Sequence, residues 1–183
     1  MKLSVYQVLK EMNSAEDAKK SGKMVALYVP IEISSLLNKK FKNVPGDEVQ
    51  PKDMHITLGL VHEEDDRNII ELIKCVAELM NPFPIRIDSF DFFEPNEHND
   101  KKYVLHAKPK SSQLTYLHDL IMMAAQKLEL KIDNGSFKFN PHITIKYCTE
   151  KPNISNEIST SFDVNDIVFA KGDFVKRVKF SGQ

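Results

Sequence analysis

Three shortages narrow the problem before any motif is read. Cysteine is nearly missing: the 183 residues hold only Cys75 and Cys148. Two thiols so far apart supply neither a disulfide framework nor a closely spaced ligand set, and both are read as reduced. An excess of charge of either sign is missing too, since 25 basic and 26 acidic residues leave a formal charge of -1. A chain so balanced has no sequence-independent grip on long nucleic acid, so double-stranded DNA is not expected as a partner and any nucleic-acid ligand should be short. Long apolar runs are missing as well. None approaches the roughly 20 residues of a membrane span, and the N-terminus has no apolar core of a secretory signal. The expectation is a cytoplasmic protein with no membrane partner.

What is present suits a compact fold. Hydrophobic content of 42% and charged content of 28% are ordinary globular usage, and the length fits one domain or two small lobes. Residues 1–23 read as a separate helical extension, with Val5, Val8, Leu9 and Met12 at i, i+3, i+4 and i+7 and Ser4 as cap. From residue 24 to 183 strands and helices alternate. "KMVALYVPI" predicts a strand, "EISSLLNKKF" a short helix, "NVPGDEVQPKD" a loop and "MHITLGLVH" a second strand. "RNIIELIKCVAELM" predicts a helix ended by Pro82; the strands "FPIRIDSFDFFE" and "KKYVLHAKPK" follow. Then come the helix "SSQLTYLHDLIMMAAQKLEL", capped by Ser111 or Ser112, the turn "DNGS", the strand "FKFNPHITIKYC", and two strands, "FDVNDIVFA" and "DFVKRVKF", joined around Lys171-Gly172.

This order repeats itself. Strand, helix, loop and strand describe residues 24–61 and again residues 103–148, and each unit ends in the same tripeptide, His55-Ile56-Thr57 and His142-Ile143-Thr144. Setting "ALYVP" against "VLHAKP" places Leu27 opposite Leu105 and Tyr28 opposite His106. A duplicated unit predicts an α+β fold of two pseudo-symmetric lobes, with mainly antiparallel sheets lining a central cleft and helices outside. The motif strands would lie near 54–61 and 139–147.

Residues i and i+2 of a strand share a face. His55 therefore points with Thr57, and His142 with Thr144 and Lys146, while Ile143, Ile145 and Tyr147 point the other way. Two imidazoles across a cleft suit phosphodiester transfer: one takes a proton from the attacking hydroxyl or water, the other gives a proton to the departing oxygen. Threonine hydroxyls donate to the non-bridging phosphate oxygens. This scheme requires no metal and no cofactor, and a zinc site on His55 and His142 would lack a third ligand nearby in sequence. With only six histidines and five threonines in the chain, two matched tripeptides at equivalent points of a repeat are far more than chance supplies.

"HITL" and "PHITI", in strands of two similar halves, resemble the paired His-x-[Thr/Ser]-x motifs of the 2H phosphoesterase superfamily. That superfamily includes 2'-5' RNA ligase-like proteins, cyclic phosphodiesterases and phage enzymes that degrade cyclic-nucleotide immune signals. The resemblance, over about residues 24–180, implies a two-lobed, metal-independent enzyme with His55 and His142 in the acid-base roles and Thr57 and Thr144 on phosphate. "PHITIKY", with its aromatic, is more similar to the phage-type members, for which the site of action would be the host cytoplasm. The Phe-Leu-Gly after the first motif and the Arg-Phe pair of bacterial RNA ligase-like members are replaced here by Gly-Leu-Val and "MVALYV".

The expected activity is cleavage of a 3'-5' or 2'-5' linkage in a small nucleotide or cyclic oligonucleotide by a monomer. The alternatives are a 2',3'-cyclic phosphodiesterase or ligase on short RNA ends, and an idle nucleotide-binding module that docks a partner through residues 1–12. Tyr28, His106, Lys146 and Tyr147 are candidate cleft-lining residues, by base stacking or phosphate contact. Lys176, Arg177 and Lys179 read as a charged strand guarding a sheet edge. His62, His98 and His118 are assigned to a solvated loop, a mobile loop and a helix.

Overall fold

A computed structural model describes residues 22–134, 138–154 and 159–182; the expected helix at Val5–Met12 lies outside them. The elements are β1 (Lys23–Tyr28), α1 (Ile31–Lys40), β2 (Asp47–Glu48), β3 (His55–Val61), α2 (Asp66–Glu78), β4 (Phe83–Phe93), β5 (Tyr103–Lys110), α3 (Ser112–Lys127), β6 (Ile132–Asp133), β7 (Ile143–Cys148), β8 (Thr160–Val164), β9 (Asp166–Lys171) and β10 (Phe174–Lys179). They form two antiparallel five-stranded sheets, ordered β10-β9-β1-β3-β6 and β2-β7-β5-β4-β8.

The two orders superimpose when the second is read backwards. β5 takes the place of β1, β7 of β3 and β2 of β6, as the repeat requires. The short strands are exchanged: β2, just ahead of β3 in the chain, pairs with β7 in the other sheet, and β6, just ahead of β7, pairs with β3. Each loop entering a motif strand therefore crosses to the opposite lobe. Gly46 permits one crossing, since it has φ +144° and a Cβ there would sit 2.4 Å from the Tyr147 carbonyl oxygen.

One face of each sheet is filled. Leu27, Ile56, Leu58, Leu105, Ile143 and Ile145 are all fully buried in a core shared with the helices. Helix α2 shows how the sequence builds this layer. Ile69, Leu72, Ile73 and Val76 form one stripe at i, i+3, i+4 and i+7, and all are buried. The Asp65 carboxylate accepts from the Arg67 N–H at 3.0 Å and caps the helix start, which contributes about 1 kcal/mol. The helix closes at Glu78, ahead of Pro82.

Three local expectations change. "FDVNDIVFA" is two strands in different sheets, because the chain leaves β8 at Asn165 and enters β9. The second motif strand begins at Ile143, so residues 139–142 approach it outside the ladder. The two-residue strands β2 and β6 sit within stretches that sequence assigns to a loop and to the approach of a turn. Edge pairing of two residues leaves no periodic signal.

Candidate active site

Both motif strands carry a bulge at the same point. In β3, Ala26 pairs with Thr57 and Val25 with Gly59, so Leu58 is an extra residue. In β7, His106 pairs with Thr144 and Leu105 with Lys146, so Ile145 is the extra one. A bulge sets two residues against one and resets which face follows. His-x-Thr therefore shows its polar pair to the cleft, while the residues after it obey a new alternation.

Each histidine is held in the same way. The Nδ1 of His55 lies 2.6 Å from the carbonyl of Asp53, and that of His142 lies 2.9 Å from the carbonyl of Asn140. A carbonyl can only accept, so Nδ1–H donates in both rings and Nε2 of the neutral ring keeps its lone pair for the cleft. Burial pushes the pKa of both imidazoles down from the ordinary value, against the opposing pull of those carbonyls. The charge of His55 lowers His142 further.

The surroundings of the two histidines differ. On the first lobe Tyr28 pairs with His55, the ring centroids 5.8 Å apart. Thr57 shares its row with Ala26, Val168 and Arg177 on successive strands, and cross-strand partners share a face. The Arg177 guanidinium lies 5.1 Å above the Tyr28 ring and bonds Asp166 at 3.2 Å. On the second lobe His106 stands 5.6 Å from His142, and Phe93 stacks on His106 at 4.1 Å while meeting the His142 ring edge-on at 4.9 Å. Asp91, paired with His106 in the ladder, is bound by Lys108. That lysine holds the Asp91 carboxyl below its usual range.

Four expected cleft-lining residues therefore fall differently. Tyr28 and His106 each lie beside a motif histidine, but they are not equivalent: Tyr28 pairs with His55 and His106 with Thr144. The counterpart of His106 is Ala26. A two-residue offset preserves the face, which is why the mistaken alignment still selects inward residues. Lys146 does not share a face with Thr144. The bulge turns it inward beside Leu105, where it is 3% exposed and donates to the carbonyls of Phe41 at 3.0 Å and Val44 at 2.8 Å. Tyr147 is displaced the opposite way, onto the cleft side with Val104, and is 37% exposed.

Phe93 and the role of Arg177 in covering Tyr28 escaped the sequence. Phe93 ends the strand FPIRIDSFDFF, where nothing sets it apart from the neighbouring phenylalanines, and Arg177 sits on the edge strand that its charge predicts. His118, expected simply in a helix, is buried against Phe139 at 3.8 Å and shares a hydrogen bond with Asn134, tying α3 to the approach of the second motif. Among the described residues no group of three or more His, Cys, Asp or Glu is placed to hold a metal ion, and no helix is long and apolar enough to cross a membrane.

Comparison with known proteins places this geometry. The profile of the 2'-5' RNA ligase superfamily matches residues 39–172. No curated protein sequence matches the chain. Among solved structures, TT0787 of Thermus thermophilus is similar with a TM-score of 0.67 at 19% identity, over 88% of this chain and 98% of that one. E. coli LigT complexed with ATP gives 0.59 at 16% identity over 86% and 94%. Usb1 of Kluyveromyces marxianus gives 0.54 at 9% over 86% and 97%. At such identities these structures speak for the fold.

Proposed function

The chain belongs to the 2'-5' RNA ligase superfamily, the 2H phosphoesterases, and from that premise we propose that it is a metal-independent phosphodiesterase. Its substrate is a small or cyclic oligonucleotide with a 3'-5' or 2'-5' linkage. His55 and His142 are the acid-base pair, and Thr57 and Thr144 bind the phosphate. The observation that carries the reading is the matched anchoring of the two imidazoles, each fixed through Nδ1 to the carbonyl two residues earlier with Nε2 left for the cleft.

The chemistry follows from that geometry. One Nε2 takes the proton of the attacking water or hydroxyl as the new P–O bond forms. The other, protonated, Nε2 gives its proton to the ribose oxygen as the old P–O bond breaks. The two roles need one proton between two rings. The charge of His55 lowers the pKa of His142, which works against both rings being charged at once. The threonine hydroxyls donate to the charge building on the non-bridging oxygens.

E. coli LigT has been solved with ATP and with 3'-AMP, which supports a mononucleotide-sized unit as what the cleft grips. A cyclic-nucleotide immune signal is the substrate favoured by the phage-like "PHITIKY". The second reading, 2',3'-cyclic phosphate at an RNA end, is favoured by the family match. One experiment separates them: incubation with cyclic di- and trinucleotides, 2'-5' oligoadenylates and 2',3'-cyclic mononucleotides, with products identified by mass spectrometry. Turnover of the cyclic oligonucleotides is expected, retained in excess EDTA. Turnover of the 2',3'-cyclic compounds alone would replace the first reading by the second, and no turnover of any would remove both.

A further inference from the structure

Beside the first-lobe histidine lies a cavity of about 230 Å³, bounded by Tyr28, Pro30, Ile31, Asp163, Asp166 and Arg177 among others. Tyr28 is its shared wall with the cleft, since the same ring meets His55. The volume is below the about 300–1,000 Å³ of sites that enclose a whole drug-sized ligand. It suits one flat ring system attached to something held outside. A planar group can lie along the Arg177 guanidinium, which sits 5.1 Å from the centre of the Tyr28 ring, and against the edge of that ring.

The polar groups narrow the ligand further. Asp166 is engaged by Arg177 at 3.2 Å. Asp163 sits on the exposed face of β8 with no side-chain partner among the described residues. An ionised carboxylate only accepts, and its two oxygens match two parallel N–H donors better than one. Of the common bases, guanine offers such a pair on one edge, N1–H and N2–H; adenine and cytosine offer a single amino group beside an acceptor, which would face the carboxylate with like polarity.

We propose that this cavity is a guanine-binding subsite, in which Arg177 stacks on the base, the edge of Tyr28 bounds it and Asp163 accepts from its N1–H and N2–H. The nucleotide is thereby placed with its phosphate toward His55. The proposal rests on the reading of the cleft as a phosphodiester site, because only a phosphate between the two histidines gives the neighbouring base its position. It also makes the enzyme directional: the base is selected beside His55, where Tyr28 and Arg177 of the first sheet and Asp163 of the second bound the cavity, while His142, with His106 and Phe93 against it, meets the other side of the bond.

Two measurements keep the subsite and the activity separate. Calorimetric titration of the full chain with 5'-GMP and 5'-AMP should give at least about tenfold tighter binding of GMP, the discrimination of one bidentate pair. Asp163→Asn should abolish that preference, and Arg177→Gln should weaken both nucleotides. Both residues are exposed, and thermal unfolding checks that the variants fold. In parallel, hydrolysis of bis(p-nitrophenyl) phosphate, which has no base, by the unaltered chain and by His142→Ala tests the cleft alone. Equal affinity for the two nucleotides, or a preference that Asp163→Asn leaves in place, overturns the subsite even where the diester is cleaved. A GMP preference lost in Asp163→Asn without any diester cleavage upholds the subsite and removes the activity.

Discussion

The two lobes offer an internal control. In both, a His-x-Thr pair precedes a one-residue bulge, and a backbone carbonyl fixes the histidine. The residue just past the bulge differs. In the first lobe it is Gly59, where a Cβ would lie 2.7 Å from Cγ2 of Ile132 and 2.8 Å from Cε of Met122. In the second it is Lys146, whose amine reaches two carbonyls of the loop following α1. Each position faces the crossing arm from the opposite lobe: Gly59 lets β6 approach closely, and Lys146 grips the segment leading to β2. The frame that anchors the two histidines is shared, while the means of holding the lobes together is particular to each side.

The comparison breaks most sharply at the histidines. His55→Ala and His142→Ala should each lower kcat by at least about a hundredfold on a cleaved substrate. A large loss in one and near-normal turnover in the other would end the equivalence of the lobes. Thr57→Ala and Thr144→Ala should each cost about tenfold to a thousandfold, as for one oxyanion donor, read as kcat against KM. The supports come next. Lys146→Met leaves two inward-facing carbonyls without their donor and should cost about 1–3 kcal/mol in denaturant unfolding. Gly59→Ala should cost about 1 kcal/mol, since the flexible Met122 end can yield while the branched Ile132 resists.

The smallest expected effect is on pH dependence. Burial holds His55, His142 and His106 below the ordinary histidine value of 6.5. The unfolded chain therefore takes up protons first as pH falls, and stability is complete above that value and lost as pH falls through the lowered ones. Tm should drop between roughly pH 7.5 and pH 5.5. His106→Phe should lessen the drop, because the second lobe contributes two of the three groups. A Tm that rises on acidification would contradict the burial of these rings.

Much of this was legible in the chain because its signals are local. The duplicated tripeptide, the alternation through His55 and Thr57, and the stripe of α2 each need only neighbours within a few residues. Lys146 was misplaced for an equally physical reason. Alternation holds only while the ladder is unbroken, and nothing in "HITIKY" announces an extra residue at Ile145. The pairing of Tyr28 with His106 failed by two positions because β1, KMVALY, and β5, YVLHAKPK, share no residue pattern that fixes one register against the other. Arg177 was correctly expected at an edge, but its guanidinium also reaches the Tyr28 ring, two strands away.

The sequence by itself determined that there are two like halves, which residues of each motif face together, and hence the class of chemistry. Those follow from the period of a strand and from identity between repeats. Only the tertiary structure decided which groups stand around each histidine, that Lys146 grips a loop instead of a phosphate, and that the entering arms are exchanged. Such facts depend on register and bulges between segments far apart in the chain, where a shift of a single residue exchanges one face for the other.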